Sequence, residues 1–179
     1  MAAVPAASRS LGRLLSAVAA DYGAVDLLRE RREVDPREYD RLLERSRGRG
    51  PVGGAGAWVR PVEGGTVLSG DAVLLVRYPE GWAEPGTPLR PAEEPEDCAR
   101  RAVEHRTGLD ATLTGLSHVH VRYATVPGRD AIPQPMVVFD ARATGDPDPG
   151  PEVRDAAWHE ELPEAVLYEA IEAIPGADV

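Results

Sequence analysis

The spacing of apolar residues changes character once along the chain. Leu11, Leu14, Leu15 and Val18 recur at helical intervals, and Leu27 and Leu28 continue the series. The pattern predicts helix over residues 8–31, capped by Ser8 or Ser10, weakened at Gly12 and divided at Gly23. A sharper start signal follows. Asp35-Pro36-Arg37-Glu38 places a capping carboxylate, then proline at the first helical position, then Glu at the third. The Asp oxygen accepts a free backbone N–H, and Pro has none to lose. Tyr39, Leu42 and Leu43 give this second helix its apolar stripe. The run Gly48-Arg49-Gly50-Pro51-Val52-Gly53-Gly54 then reads as a linker or a strand lead-in. It marks an expected boundary between an N-terminal helical segment, residues 1–50, and a main domain, residues 51–179. The first is too small for its own core, so it has to pack on the main domain or on a partner chain.

From about residue 55 the period becomes that of strands. Residues 57–62 form a short one. Residues 71–78 contain Ala72-Val73-Leu74-Leu75-Val76, the continuous apolar run of a strand buried on both faces. A loop rich in Pro and Gly fills 79–95. A helix is predicted over 96–106, with Pro95 just before it and Gly108 just after. Residues 113–125 and 135–143 read as strands, and residues 163–174 as a helix carrying Val166, Leu167, Ala170, Ile171 and Ile174. The order is helices, β, β, helix, β, β, helix, an α/β chain.

Composition narrows the classes of function. Hydrophobic residues make up 42%, enough for a core. The net charge of −10 repels nucleic-acid phosphates, so no nucleic-acid partner is expected. All 20 basic residues are Arg, a bias that suits a GC-rich genome and, with the acidic excess, solubility at high salt as in a halophile. The single cysteine, Cys98, makes no internal disulfide, and no Cys/His zinc spacing exists. No apolar stretch has membrane-spanning length, and residues 1–7 lack a basic n-region. A cytoplasmic protein without a membrane partner is expected.

The chemistry concentrates in residues 81–109, GWAEPGTPLRPAEEPEDCARRAVEHRTGL. This stretch resembles the Nudix box, G-x5-E-x7-R-E-U-x-E-E-x-G-U with U aliphatic. Thr107-Gly108-Leu109 fixes the register. Thr87 then stands at the first box glycine, Glu93 at the first glutamate, Arg101 at the arginine and Val103 at the aliphatic position. Three glutamates are replaced, by Ala102, His105 and Arg106. Flanking residues extend the similarity over about 55–174: Val73–Val76 with Arg77 before the box, the Gly81-Trp82-Ala83-Glu84-Pro85-Gly86 approach, and Glu152, Ala157-Trp158 and Glu161-Leu162-Pro163 after it.

The resemblance implies an α/β/α sandwich around a mixed β-sheet, preceded by the N-terminal helical segment. It also implies Mg2+-dependent hydrolysis of a nucleoside diphosphate linked to another group. Positions i, i+3 and i+4 share one helix face, so carboxylates at 102, 105 and 106 would converge on one cation. Here the same face offers a methyl group, an imidazole and a guanidinium. Its charge moves from about −3 to about +1 with His neutral. Such a face repels Mg2+ and attracts phosphate directly. Catalysis would then fall to Glu93 and to an acid from outside the box, Glu152 first. No residue of the box is assigned as a metal ligand; if any served, it would be Glu93, which in the family pattern supports the loop–helix structure. Arg101 pairs with box acids in the family pattern, Arg106 is the candidate phosphate contact, and Trp82 is a candidate for the cleft rim. The alternative to a hydrolase is a non-catalytic Nudix-fold module that binds a nucleotide-like anionic small molecule or a partner protein. Homodimerisation through the N-terminal helices is compatible with the pattern, although no feature demands it.

Outside the box, His118 and His120 alternate on a predicted strand and share a face, with His159 a remote third. They read either as metal ligands or as exposed or hydrogen-bonded residues of a half-solvated strand, the second being the plainer account. Cys98 reads as a small core residue, since no defined base accompanies it.

Overall fold

The structure is a computed structural model that describes residues 3–47, 53–62 and 71–168. Its elements follow in the order α1 (Ala3–Tyr22), β1 (Leu27–Glu33), α2 (Pro36–Arg47), β2 (Gly54–Pro61), β3 (Val73–Tyr78), β4 (Gly81–Ala83), β5 (Gly86–Pro88), α3 (Pro95–Thr107), β6 (Thr112–Thr125), β7 (Ile132–Ala143) and β8 (Asp155–His159). The strands form one mixed sheet in the order β1-β6-β7-β2-β3-β4, with β5 on β2 and β8 on β3. The pairs β1–β6 and β2–β7 are parallel, and the others are antiparallel. A mixed α/β fold is what the sequence implied.

Strand alternation gives the sheet two different faces. Val119 and Val121 of β6, with Val137 and Phe139 of β7, meet Leu11, Leu14, Leu15 and Val18 of α1 and Cys98 and Ala99 of α3. Ala57, Val59, Leu74 and Ala141 continue that face against Val103. On the reverse, Trp58, Val73, Leu75 and Val138 pack against Leu162, Val166, Leu167 and Tyr168. The box helix is therefore held by an apolar seam of small side chains, which lets α3 lie close to the sheet.

Three expectations need correction. Residues 27–31 are strand, not helix. Gly23, in a left-handed conformation at φ 81°, ends α1, and the chain after it pairs in parallel with β6 from Leu27↔Val119 to Glu33↔Thr125. Leu27 and Leu28 then serve opposite faces of the sheet, a use that two adjacent apolar residues suit as well as a helix. The loop at 79–95 contains two short strands, β4 and β5. No helix begins at Pro163. The backbone of 165–167 is engaged instead by β4, through Trp82 N–H to Ala165 O (2.8 Å) and Leu167 N–H to Trp82 O (2.8 Å). The rest of that expected helix, 169–174, lies outside the described residues.

The start of α2 follows its signal closely. The Asp35 carboxylate accepts the backbone N–H of Arg37 (2.9 Å) and of Glu38 (3.0 Å). Replacing it by Ala removes both bonds. Asp35→Ala is expected to lower stability by about 1 kcal/mol in urea denaturation, while Asp35→Asn keeps most of it.

Candidate active site

The box loop and helix are built around one ion pair. Arg101 Nε and Nη2 donate to the two oxygens of Glu93, at 2.7 and 2.8 Å. Arg101 Nη2 also reaches Pro88 O (3.0 Å), and Glu93 accepts the backbone N–H of Arg90 (2.7 Å). Ala92, in a left-handed conformation at φ 61°, turns the loop immediately before Glu93. The hydrogen bonds from Arg101 hold the Glu93 carboxyl down at about 2. With both oxygens committed, Glu93 fixes loop to helix. Cys98 lies beneath, buried, its thiol donating to Thr87 O (3.4 Å), and burial pushes its pKa up.

The other end of the helix carries the replaced positions. Ala102 is buried, His105 is exposed, and Arg106 is only 8% exposed. Arg106 Nη1 donates to Glu152, whose side chain is 70% exposed, while its Nε is buried with no acceptor among the described residues. The guanidinium also stands over the Tyr78 ring at 5.7 Å. The segment carrying Glu152 is sewn to the helix end by two backbone bonds, Asp148 N–H to Thr107 O (2.8 Å) and Gly150 N–H to Arg106 O (3.0 Å). A Cβ at Gly150 would stand 1.9 Å from His105 O, so only glycine fits this approach.

Among the described residues, no three of His, Cys, Asp and Glu gather where they could hold a metal ion. The acids the sequence offered are also placed apart in role: Glu93 is taken by Arg101 and Glu152 by Arg106. This donor set does not fit Mg2+, which needs several free oxygens around one point. Trp82 is 8% exposed and packed in the core, its ring edge-on to His159 at 4.5 Å.

His118 and His120 share a face, as their alternation requires, but the face is buried and not half-solvated. The Tyr168 ring lies 4.5 Å from the His120 ring and covers it, and the Tyr168 hydroxyl donates to the buried Glu84 carboxyl. Burial lowers both histidines to about 4; Arg122 and His118 add to the effect at His120. Burial likewise raises Glu84, against the opposing hydrogen bond from Tyr168. His120 Nε2 stands 3.3 Å from Glu30. Sequence reasoning missed Glu84, Tyr168 and Tyr78. Glu84 fell at a variable position of the approach motif and Tyr168 inside an expected helix, so neither carried a signal.

A mixed sheet with a loop–helix motif lodged against one face by an Arg–Glu pair defines a Nudix-type domain. The NUDIX domain profile matches residues 54–172, and the chain belongs to this family. A curated relative, the isopentenyl-diphosphate Delta-isomerase of Paenarthrobacter aurescens (strain TC1), is 32% identical over 117 residues, 60% of this chain and 62% of that protein. Similar solved structures include a NUDIX hydrolase from Nitrosomonas europaea (TM-score 0.54, 18% identity, 70% of this chain and 68% of that one). Another is a MutT NUDIX hydrolase from Burkholderia pseudomallei (TM-score 0.52, 20% identity, 68% and 93%). These structural likenesses concern the fold.

Two titrations follow. Glu93 is depressed on folding, so its contribution is full above the unfolded value near 4.5 and is lost as pH falls toward about 2. The stability gap between wild type and Glu93→Gln is expected to be constant above pH 5 and to close toward pH 2 in denaturant titrations; a gap unchanged at pH 2.5 contradicts the pairing. The histidines act in the opposite region. The unfolded chain takes up their protons near 6.5, the folded one only near 4. Wild-type stability is thus expected to decline from pH 6.5 to 4, with a shallower slope in a His118→Gln/His120→Gln variant.

Proposed function

We propose that this protein is a Nudix-fold binding module for a phosphate-bearing, nucleotide-like small molecule, in which metal-dependent diphosphate hydrolysis has been lost. The observation that carries this reading is the buried guanidinium of Arg106 at a position where the box pattern has a glutamate. Arginine presents a planar fork of donors that matches phosphate oxygens and stays charged at any working pH. In the family pattern a divalent cation would neutralise the diphosphate; here a side chain supplies positive charge from the same helix face. The name of the relative, an isopentenyl-diphosphate isomerase, supports a diphosphate group as the part recognised.

The test uses ADP-ribose and inorganic pyrophosphate as probes, with EDTA present. Each is expected to raise the melting temperature without metal, and Arg106→Gln to weaken binding about tenfold to a hundredfold, the worth of one charge-assisted hydrogen bond. Calorimetry is expected to detect no Mg2+ or Mn2+ binding at the box helix. Metal-dependent turnover of ADP-ribose, lost on Glu93→Gln or Glu152→Gln, overturns the proposal.

A further inference from the structure

We infer that Glu152 is an internal competitor for the anion site of Arg106, so that ligand binding releases the segment 146–153 from the end of the box helix. The inference rests on the anion-binding reading above and concerns how that site is regulated.

The two arginine pairs of α3 differ in a way that separates structural from exchangeable. Arg101 gives Nε and Nη2 to two oxygens of one carboxylate, and the Glu93 side chain is 12% exposed. That is the full fork-to-fork match of a structural pair, with both carboxylate oxygens committed. Arg106 gives Nη1 to one oxygen of Glu152, and its buried Nε–H finds no acceptor among the described residues. An unmade bond of this kind is expensive to leave in place. Glu152 reaches the guanidinium from outside, with 70% of its side chain in solvent. When its carboxylate swings away, Nη1 of Arg106 is left without its partner and can take another anion. A phosphate brings more oxygens than the single one Glu152 contributes, and two of them can take the terminal nitrogens Nη1 and Nη2 together.

Exchange at Arg106 has a mechanical consequence. The segment is tied to the helix by the Glu152 carboxylate and by the amides of Asp148 and Gly150 on the carbonyls of Thr107 and Arg106. It carries Asp146, Asp148 and Glu152, all acidic. An anion seated on Arg106 displaces one tie and repels the rest of the segment, so loosening is concerted. Thermodynamic linkage makes the effect reciprocal: weakening the internal carboxylate strengthens the external anion.

The experiment titrates full-length wild type, Glu152→Gln and Arg106→Gln with inorganic pyrophosphate in EDTA, and follows hydrogen exchange at the amides of Asp148 and Gly150. Glu152→Gln loses the charge at a solvent-facing position and is expected to bind pyrophosphate about tenfold more tightly. Pyrophosphate is expected to speed exchange at both amides in wild type and to do so at lower concentration in Glu152→Gln. Equal affinity of wild type and Glu152→Gln, with Arg106→Gln weakened, overturns the competition and leaves the anion site standing. Slowed exchange at the two amides also overturns it. Failure of wild type and Glu152→Gln alike to bind pyrophosphate overturns the anion reading itself. Should Arg106→Gln not fold, Arg106→Lys, which keeps the charge and loses the fork, takes its place with the same expectation.

Discussion

A guanidinium withdrawn from water at the end of a helix needs an anion beside it. Leaving a buried charge unpaired costs about 3–5 kcal/mol, a large fraction of a domain's stability. Arg106 sets that demand, and the path of the chain after β7 answers it. The segment 144–154 folds back on α3 and brings Glu152 to Arg106. It closes two open carbonyls of the helix end and delivers Arg154 N–H to Arg77 O (2.7 Å), where β8 begins its pairing with β3. The register of that strand pair, Arg77↔Asp155 to Val73↔His159, thus begins where the neutralised helix end leaves the chain.

The reverse face of the sheet is solved by a different electrostatic strategy. There burial disfavours the charged forms of the titratable groups. Burial holds His118 and His120 unprotonated and lifts Glu84, and Tyr168 donates to Glu84 while its ring covers His120. A charge on this face would lack the solvent that makes charge affordable. Between the two systems stands Tyr78, whose ring lies under Arg106 and whose hydroxyl meets the backbone N–H and O of Gly86. The helix side of the sheet is thus organised by opposite charges, and the reverse face by burial that works against charge.

Much of this was legible in the residues, and the failures share a cause. Signals confined to a few neighbouring residues survived: the Asp35-Pro36 start, Gly108 at the end of α3, and the apolar run of β3. The box pattern separated Arg101 from Arg106, but the pairing of Arg106 with Glu152, 46 residues away, had no local signal. Leu27 and Leu28 failed because a parallel partner 92 residues distant decided their conformation. Residues 163–168 failed because β4 claimed their backbone hydrogen bonds. Glu84 could not be anticipated, since an acidic side chain in a loop is ordinarily hydrated, whereas here it is buried with the Tyr168 hydroxyl as its partner.

The parallel seam between β1 and β6 carries one more implication. The family profile begins at residue 54, yet the seven-residue strand that satisfies the outer side of β6 comes before it, and so does the helix over Val119, Val121 and Phe139. Bare strand edges recruit other strands. A recombinant begun at the profile's first residue would therefore meet copies of itself along that margin, and swapped or fibrillar assemblies, not a smaller monomer, are where such trimming leads.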